Sequence, residues 1–184
     1  MRHGRRLSVT SRTVALALIL TGCSDAPPRP STTAASSPAA ATPPRRIDSF
    51  AGPYRFLSNF WPAEVHYEGV VYPTAEHAYQ SAKTLDRDER RRIAALPTPS
   101  EAKRAGRALK PRPDWERVRI DVMAACVRDK FTRSAELRRR LVATGDAELI
   151  EGNSWGDRFW GVCDGEGENH LGRILTRVRE ELRE

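Results

Sequence analysis

The chain has 184 residues, 39% hydrophobic and 30% charged, with a formal net charge of +7 and a pI of about 9.8. Residues 1–46 hold seven Arg, no Lys and a single acid, Asp25, which leaves 24 of the 31 bases and 23 of the 24 acids to residues 47–184. Net charge therefore gives no reason to infer a nucleic-acid partner, and a domain of this length builds a core without a metal or disulfide staple.

At the N-terminus Arg2, Arg5, Arg6 and Arg12 precede an apolar run from Val14 to Leu20, followed by Thr21-Gly22-Cys23. This is the pattern of a secretory signal peptide, and the run falls short of the roughly 20 residues that span a bilayer. Leu20-Thr21-Gly22-Cys23 is similar to a bacterial lipobox. Residues 1–22 are thus expected to be a signal peptide and Cys23 the lipid-modified first residue, anchoring the chain on the extracytoplasmic side of the membrane; an unprocessed leader would leave it cytoplasmic. Residues 24–46 are Pro, Ala, Ser and Thr with almost no large apolar residue, so 23–46 reads as a disordered tether and 47–184 as one domain.

The domain opens with the aromatic stretch Phe50–Pro62, read as a loop folded on the core. Val65-His66-Tyr67 and Val70-Val71-Tyr72 flank Glu68-Gly69, a hairpin signal. Thr74 after Pro73 is a good N-cap, so a short helix should begin at Ala75. At about 100° per residue, Glu76, Gln80 and Lys83 share one stripe of it, flanked by small residues. Such a stripe is either a solvated face or a site. Helical patterns follow over 86–96, 100–109, 114–131 and 134–142. In the 114–131 segment Ile120, Met123, Val127 and Phe131 recur at helical spacing. A last helix over 168–182 buries Leu171, Ile174, Leu175, Val178 and Leu182. The Gly- and Trp-rich stretch 145–167 between them reads as loop.

Phosphate-binding and dinucleotide glycine loops and the Gly-x-Ser-x-Gly elbow are absent from the sequence. His66, His77 and His170 lack metal-ligand spacing, and His77 lies about 100° from Glu76 around the helix, as a packing residue would. Cys126 falls on a helix face and reads as core; Cys163 is open, and a disulfide between the two is compatible with an extracytoplasmic location. What remains is carboxylate, amine and aromatic chemistry. Asn153–Gly161 sets Trp155, Phe159 and Trp160 beside hydrogen-bonding groups, which is either a ligand surface for sugars and bases or a loop pinned by its tryptophans.

Phe56-x-Ser58-Asn59-Phe60, Tyr72-Pro73-Thr74-Ala75-Glu76-His77 running to Lys83, Gly106-Arg107, Trp115-Glu116-x-Val118, Trp160-Gly161 and Gly165-x-Gly167-x-Asn169-x-Leu171-Gly172 occur in the order and spacing of one family. Across residues 50–182 the chain resembles the NADAR family, the YbiA-like N-glycosidases. The resemblance implies a mainly α (α+β) fold, one helical domain with a small β-hairpin. It also implies hydrolysis of the N-glycosidic bond of a ribosyl nucleotide-type substrate: a phosphorylated ribosylaminopyrimidine or ADP-ribosyl guanine, with nucleic acid entering only as a modified substrate. It assigns catalysis to Glu76 and Lys83 and substrate contacts to Asn59, Arg107, Trp115, Trp160 and Asn169, to which Gln80 on the stripe and Gly161 are added. No cofactor or metal is implied.

In such a reaction a carboxylate stabilises the positive charge that develops at the anomeric carbon. The helix dipole should favour the ionised form of Glu76. Lys83 either anchors a phosphate as a cation or, neutral, attacks the aldehyde of an opened ribose. The competing expectation is a lipid-anchored, non-enzymatic module that binds ADP-ribose or a related nucleotide sugar.

Overall fold

The computed structural model describes residues 44–184. Cys23, the signal peptide 1–22 and nearly all of the tether 23–46 lie outside the described residues. In order come β1 (Arg46–Ile47), a 3-10 helix (Gly52–Leu57), β2 (Val65–Tyr67), β3 (Val70–Tyr72), α1 (Ala75–Ser81), α2 (Arg87–Ala94) and α3 (Pro99–Ala108). They are followed by α4 (Trp115–Arg133), α5 (Ala135–Val142), β4 (Glu148–Leu149), β5 (Gly152–Asn153), β6 (Val162–Cys163) and α6 (His170–Glu181). The fold is mixed α+β, with helices dominating and, among the described residues, three two-stranded ladders.

The helix α1 is the centre of the domain. Thr74 Oγ1 accepts the His77 amide at 3.2 Å, and the Asn59 carbonyl accepts the Glu76 amide at 3.2 Å, so two of the free N–H groups of the first turn are paired. All seven residues of α1 are buried, because α2, α3, α4 and the hairpin pack around it. The expectation of a solvated stripe therefore fails: an amphipathic helix keeps a polar face wet only when one side is left free. His77 is a packing residue. Its Nε2 donates to the Leu96 carbonyl at 3.1 Å, its Nδ1 accepts from the Thr74 hydroxyl at 2.7 Å, and burial lowers its pKa, so the ring is neutral.

The hairpin forms as its turn dictates. Glu68 and Gly69 both have positive φ, 45° and 78°, which is the two-residue type I′ geometry that matches strand twist. Val65 opposes Tyr72, and both are fully buried. Glu68 sends its carboxylate to the buried guanidinium of Arg90 on α2, which fixes the hairpin to the helices.

Four details differ from the sequence reading. Residues 52–57 form a 3-10 helix rather than loop, with Phe56 and Leu57 turned into the core. The strand β1 includes Arg46 and runs parallel to β4, with the Glu148 amide on Arg45 O at 3.0 Å and the Ile150 amide on Ile47 O at 2.8 Å. The stretch 145–167 holds β4, β5 and β6, the last two parallel to each other. Finally, α6 starts at His170 because Asn169 adopts a left-handed conformation, φ 52°, that turns the chain into the helix. Its buried row Leu171, Ile174, Leu175, Val178 and Leu182 packs on α4, whose inner face carries Val122, Met123, Cys126, Val127, Lys130 and Phe131. Cys126 and Cys163 are both buried free thiols, so no disulfide joins them.

Candidate active site

Glu76 and Gln80, each 5% exposed, stand one turn apart, and the Gln80 amide donates to Glu76 Oε1 at 2.8 Å. The pair is pressed against α3 at Gly106, where a Cβ would lie 2.0 Å from Gln80 Oε1; only glycine admits the amide there. Lys83 does not extend the helical row as the periodicity implies. The helix ends at Ser81 with Ala82 as its cap, and the Lys83 carbonyl accepts the Arg112 amide at 2.7 Å. Its side chain nonetheless turns to α3, where Nζ donates to Gly106 O at 3.3 Å and lies 5.9 Å from the ring centroids of Tyr79 and Trp115.

An aromatic wall closes one side. The Tyr79 ring meets Trp115 at 5.1 Å and Trp160 at 5.3 Å; Trp160 meets Phe159 at 5.0 Å, and Phe159 meets His170 at 4.4 Å. The guanidinium of Arg119 lies 3.7 Å over Phe159. Trp115 is almost fully buried and Trp160 keeps an accessible edge. Asn59 enters from the segment before the hairpin. Its Nδ2 contacts Met123 Sδ at 3.2 Å, while its Oδ1, like Gln80 Oε1, is a buried acceptor without a partner among the described residues.

Desolvation dominates the electrostatics. Burial raises the Glu76 carboxyl above the ordinary carboxylate value, against the Gln80 hydrogen bond and the charges of Lys103, Lys83 and Arg107. This reverses the expectation drawn from the helix dipole, because a short helix offers a fraction of a charge while burial removes most of the hydration of a whole one. Lys83 is affected in mirror image. Burial lowers its pKa, Glu76 opposes that, and Arg107 and Lys103 add to it.

Thus Asn59, Glu76 and Gln80 are joined by hydrogen bonds, Gln80 and Lys83 meet at Gly106, and Trp115 and Trp160 meet at Tyr79, with exposed Arg107 within electrostatic range of Glu76. Gly161 and Asn169 are different. The α-carbon of Gly161 packs on the Glu151 carbonyl, and a Cβ there would lie 2.1 Å from that oxygen. Asn169 spends its side chain on the backbone, Oδ1 accepting from Glu151 N at 3.1 Å and Nδ2 donating to Leu149 O at 2.9 Å. Both hold main chain.

Two residues escaped the sequence reading. Lys103 on α3 extends over the Phe60 ring at 5.6 Å and acts electrostatically on Glu76 and Lys83. Glu151, between β4 and β5, is partly buried; burial and the repulsion of Asp157 and Glu76 push its carboxyl up to about 8, against Lys103. The one signal for Glu151 was its position, an acid directly after the apolar pair Leu149-Ile150 and before Gly152.

Two grooves lie elsewhere, ≈ 580 Å³ between α2 and α3 and ≈ 740 Å³ along α6. Their charged linings include groups already paired on the surface, such as Arg92 with Glu89 and Arg183 with Asp146. Converging desolvated groups mark the Glu76 centre instead.

The fold and the centre define a small α+β domain built around a desolvated carboxylate and amine under an aromatic wall. The profile of the NADAR domain matches residues 48–183, and the chain belongs to that family. It is 42% identical over 132 residues to a riboflavin biosynthesis protein of Vibrio vulnificus, 70% of this chain but only 36% of that protein, so it spans about a third of that relative. It is also 42% identical over 134 residues to N-glycosidase YbiA of Escherichia coli, covering 70% of this chain and 82% of the relative. The NMR structure of the E. coli protein YbiA superposes with a TM-score of 0.67 at 37% identity, over 75% of this chain and 83% of that one.

Proposed function

We propose that the domain is an N-glycosidase, a hydrolase of N-glycosyl bonds, acting on a phosphorylated ribosyl substrate: ADP-ribosyl guanine or a phosphorylated ribosylaminopyrimidine. Kinship with proteins named N-glycosidase and riboflavin biosynthesis protein supports the reaction class. The observation that carries the reading is the meeting of Glu76 and Lys83 at α3, where Gln80, bonded to Glu76, presses on Gly106 and Lys83 Nζ donates to the Gly106 carbonyl at 3.3 Å, with burial shifting the pKa of both. Nothing in packing requires an acid and an amine at those positions, whereas bond cleavage at an anomeric carbon uses both.

In this reading Trp160, with Trp115 behind it, stacks the base, and Arg107 with Lys103 holds phosphate. Asn59, whose buried Oδ1 has no partner among the described residues, accepts a ribose hydroxyl, and Gln80 holds the Glu76 carboxylate. Ionised Glu76 stabilises positive charge at the anomeric carbon. Lys83, its pKa lowered, has a neutral fraction that bonds to the anomeric carbon as the base nitrogen departs; loss of its proton and ring opening give a Schiff base, which water then hydrolyses to free ribose and lysine.

The test is release of base from the two substrates side by side, with and without borohydride. Reduction should link wild-type protein to the sugar and leave Lys83→Ala unlabelled. Labelling of Lys83→Ala equal to wild type would refute the covalent role, and a folded domain that cleaves neither substrate would favour the non-enzymatic module that only binds the nucleotide sugar.

Anchoring at Cys23 is proposed on the leader pattern alone. Cys23→Ala should abolish lipid labelling and release the protein from the membrane fraction. Equal membrane association of the two proteins would refute the anchor.

A further inference from the structure

The Glu151 main chain is held from several sides. Its N–H donates to Asn169 Oδ1 at 3.1 Å, its carbonyl accepts from Val162 N at 2.9 Å, and Gly161 packs on that same carbonyl. Asn169 further donates to Leu149 O at 2.9 Å, securing the strand that leads into Glu151. Residues that look like ligand contacts in sequence thus fix the position of one carboxylate. That carboxylate makes no hydrogen bond or ion pair among the described residues, and the groups that act on it are Glu76 on α1, Lys103 on α3 and Asp157 in the loop before β6. A partly accessible carboxyl on a pinned main chain, packed beside Gly161 next to Trp160 of the aromatic wall, unpaired among the described residues and within electrostatic range of Glu76, has no structural task of its own.

Resting on the N-glycosidase reading above, we propose that Glu151 is the general acid of the reaction. As the bond between the anomeric carbon and the base nitrogen breaks, the electron pair leaves on nitrogen and the Glu151 carboxyl proton is transferred to it. Glu151, now a carboxylate, recovers a proton from the water that bonds to the anomeric carbon, so the acid is regenerated and one water is consumed. The two carboxyls divide the roles because their surroundings differ. Burial raises both carboxyls; against it Gln80, Lys103, Lys83 and Arg107 favour ionised Glu76, whereas Glu151 has Lys103 alone, with Asp157 and Glu76 adding to its rise. Two interacting carboxyls of unequal environment separate into an acid and a charge carrier.

The experiment compares wild type, Glu151→Gln and Glu151→Asp on an N-ribosyl substrate and on the same sugar phosphate carrying nitrophenolate, which departs without a proton. On the N-ribosyl substrate Glu151→Gln should lose about 10²–10⁴-fold in kcat with KM little changed. The fall of wild-type kcat/KM above about pH 8 should vanish in Glu151→Gln and partly return in Glu151→Asp. Nitrophenolate release should change by less than about five-fold, since no acid is needed for that leaving group. Equal losses on both substrates, or an alkaline fall that persists in Glu151→Gln, would overturn the assignment. Wild-type activity with an unaffected Glu151→Gln overturns the general acid alone; a wild type that cleaves no ribosyl substrate overturns the N-glycosidase reading and this inference with it. Should Glu151→Gln fail to unfold cooperatively, Glu151→Asp decides: wild-type rates on both substrates and an unshifted profile would overturn the proposal, and a selective loss on the N-ribosyl substrate supports it.

Discussion

Glu76→Gln is expected to lower the rate of base release by about 100-fold or more, the usual scale for removing a charge that a transition state needs. The substitution keeps the shape of the side chain, and the new amide oxygen can still accept from Gln80 Nε2, which donates to Glu76 Oε1 at 2.8 Å. What disappears is the negative charge beside the developing cation. Stability should move the other way. The folded carboxyl has its pKa raised by burial, so the folded state binds more protons than the unfolded one above the unfolded value near 4.3. Stability from this group is therefore highest at low pH and lost as pH rises through the raised folded pKa. A neutral Gln avoids that loss. Urea unfolding at pH 8 should give a midpoint for Glu76→Gln equal to or above that of wild type, while kcat collapses. A variant that loses activity and unfolds at much lower urea would show that Glu76 supports the fold rather than the reaction.

The contrast between what could and could not be read along the chain follows from the range of the interactions. The turn at Glu68-Gly69 and the cap at Thr74 depend on a few neighbouring residues, and both form where the sequence indicates. The apolar row of α6 is equally local, since helix period alone selects it. Pairing of Arg46–Ile47 with Glu148–Leu149 joins segments about 100 residues apart, and two-residue strands have no periodicity to detect. The same long-range assembly desolvates Glu76. A first-turn Glu in isolation belongs to water and to the helix dipole; packed among α2, α3 and α4 it belongs to the core, and the direction of its pKa shift reverses. Asn169 and Gly161 show a further limit. A motif reveals that a residue type is needed but not whether substrate or main chain needs it, and here the main chain of Glu151 accounts for both.

Lys130 was hidden for a related reason, because a lysine inside an apolar helix row is normally taken for surface. It is 1% exposed, and its Nζ donates to Phe56 O at 2.7 Å and to Ser58 O at 2.8 Å, closing the end of the 3-10 helix onto α4. Lys130→Met keeps most of the stem volume but leaves two carbonyls without a donor, so stability should fall by about 2–6 kcal/mol, at about 1–3 kcal/mol for each buried group left unsatisfied. The loss should also depend on pH. Burial pulls the lysine pKa down to about 7, whereas the unfolded lysine titrates near 10.4. Between these values the unfolded state holds a proton that the folded state has released, so the Lys130 contribution to unfolding free energy rises with pH across that window. Below pH 7 both states are protonated and the core carries a charged amine. Effects of Glu76 and Glu151 are common to both proteins and cancel in the difference to first order. The gap between wild type and Lys130→Met, measured by urea unfolding, should therefore be wider at pH 9 than at pH 6. A gap that is the same at both would mean that the amine is not desolvated. The consequence reaches the active site, since Asn59 follows the tethered Ser58 and its carbonyl accepts the Glu76 amide. Loosening that segment removes one of the two acceptors that hold the first turn of α1, and with it part of the geometry that buries Glu76.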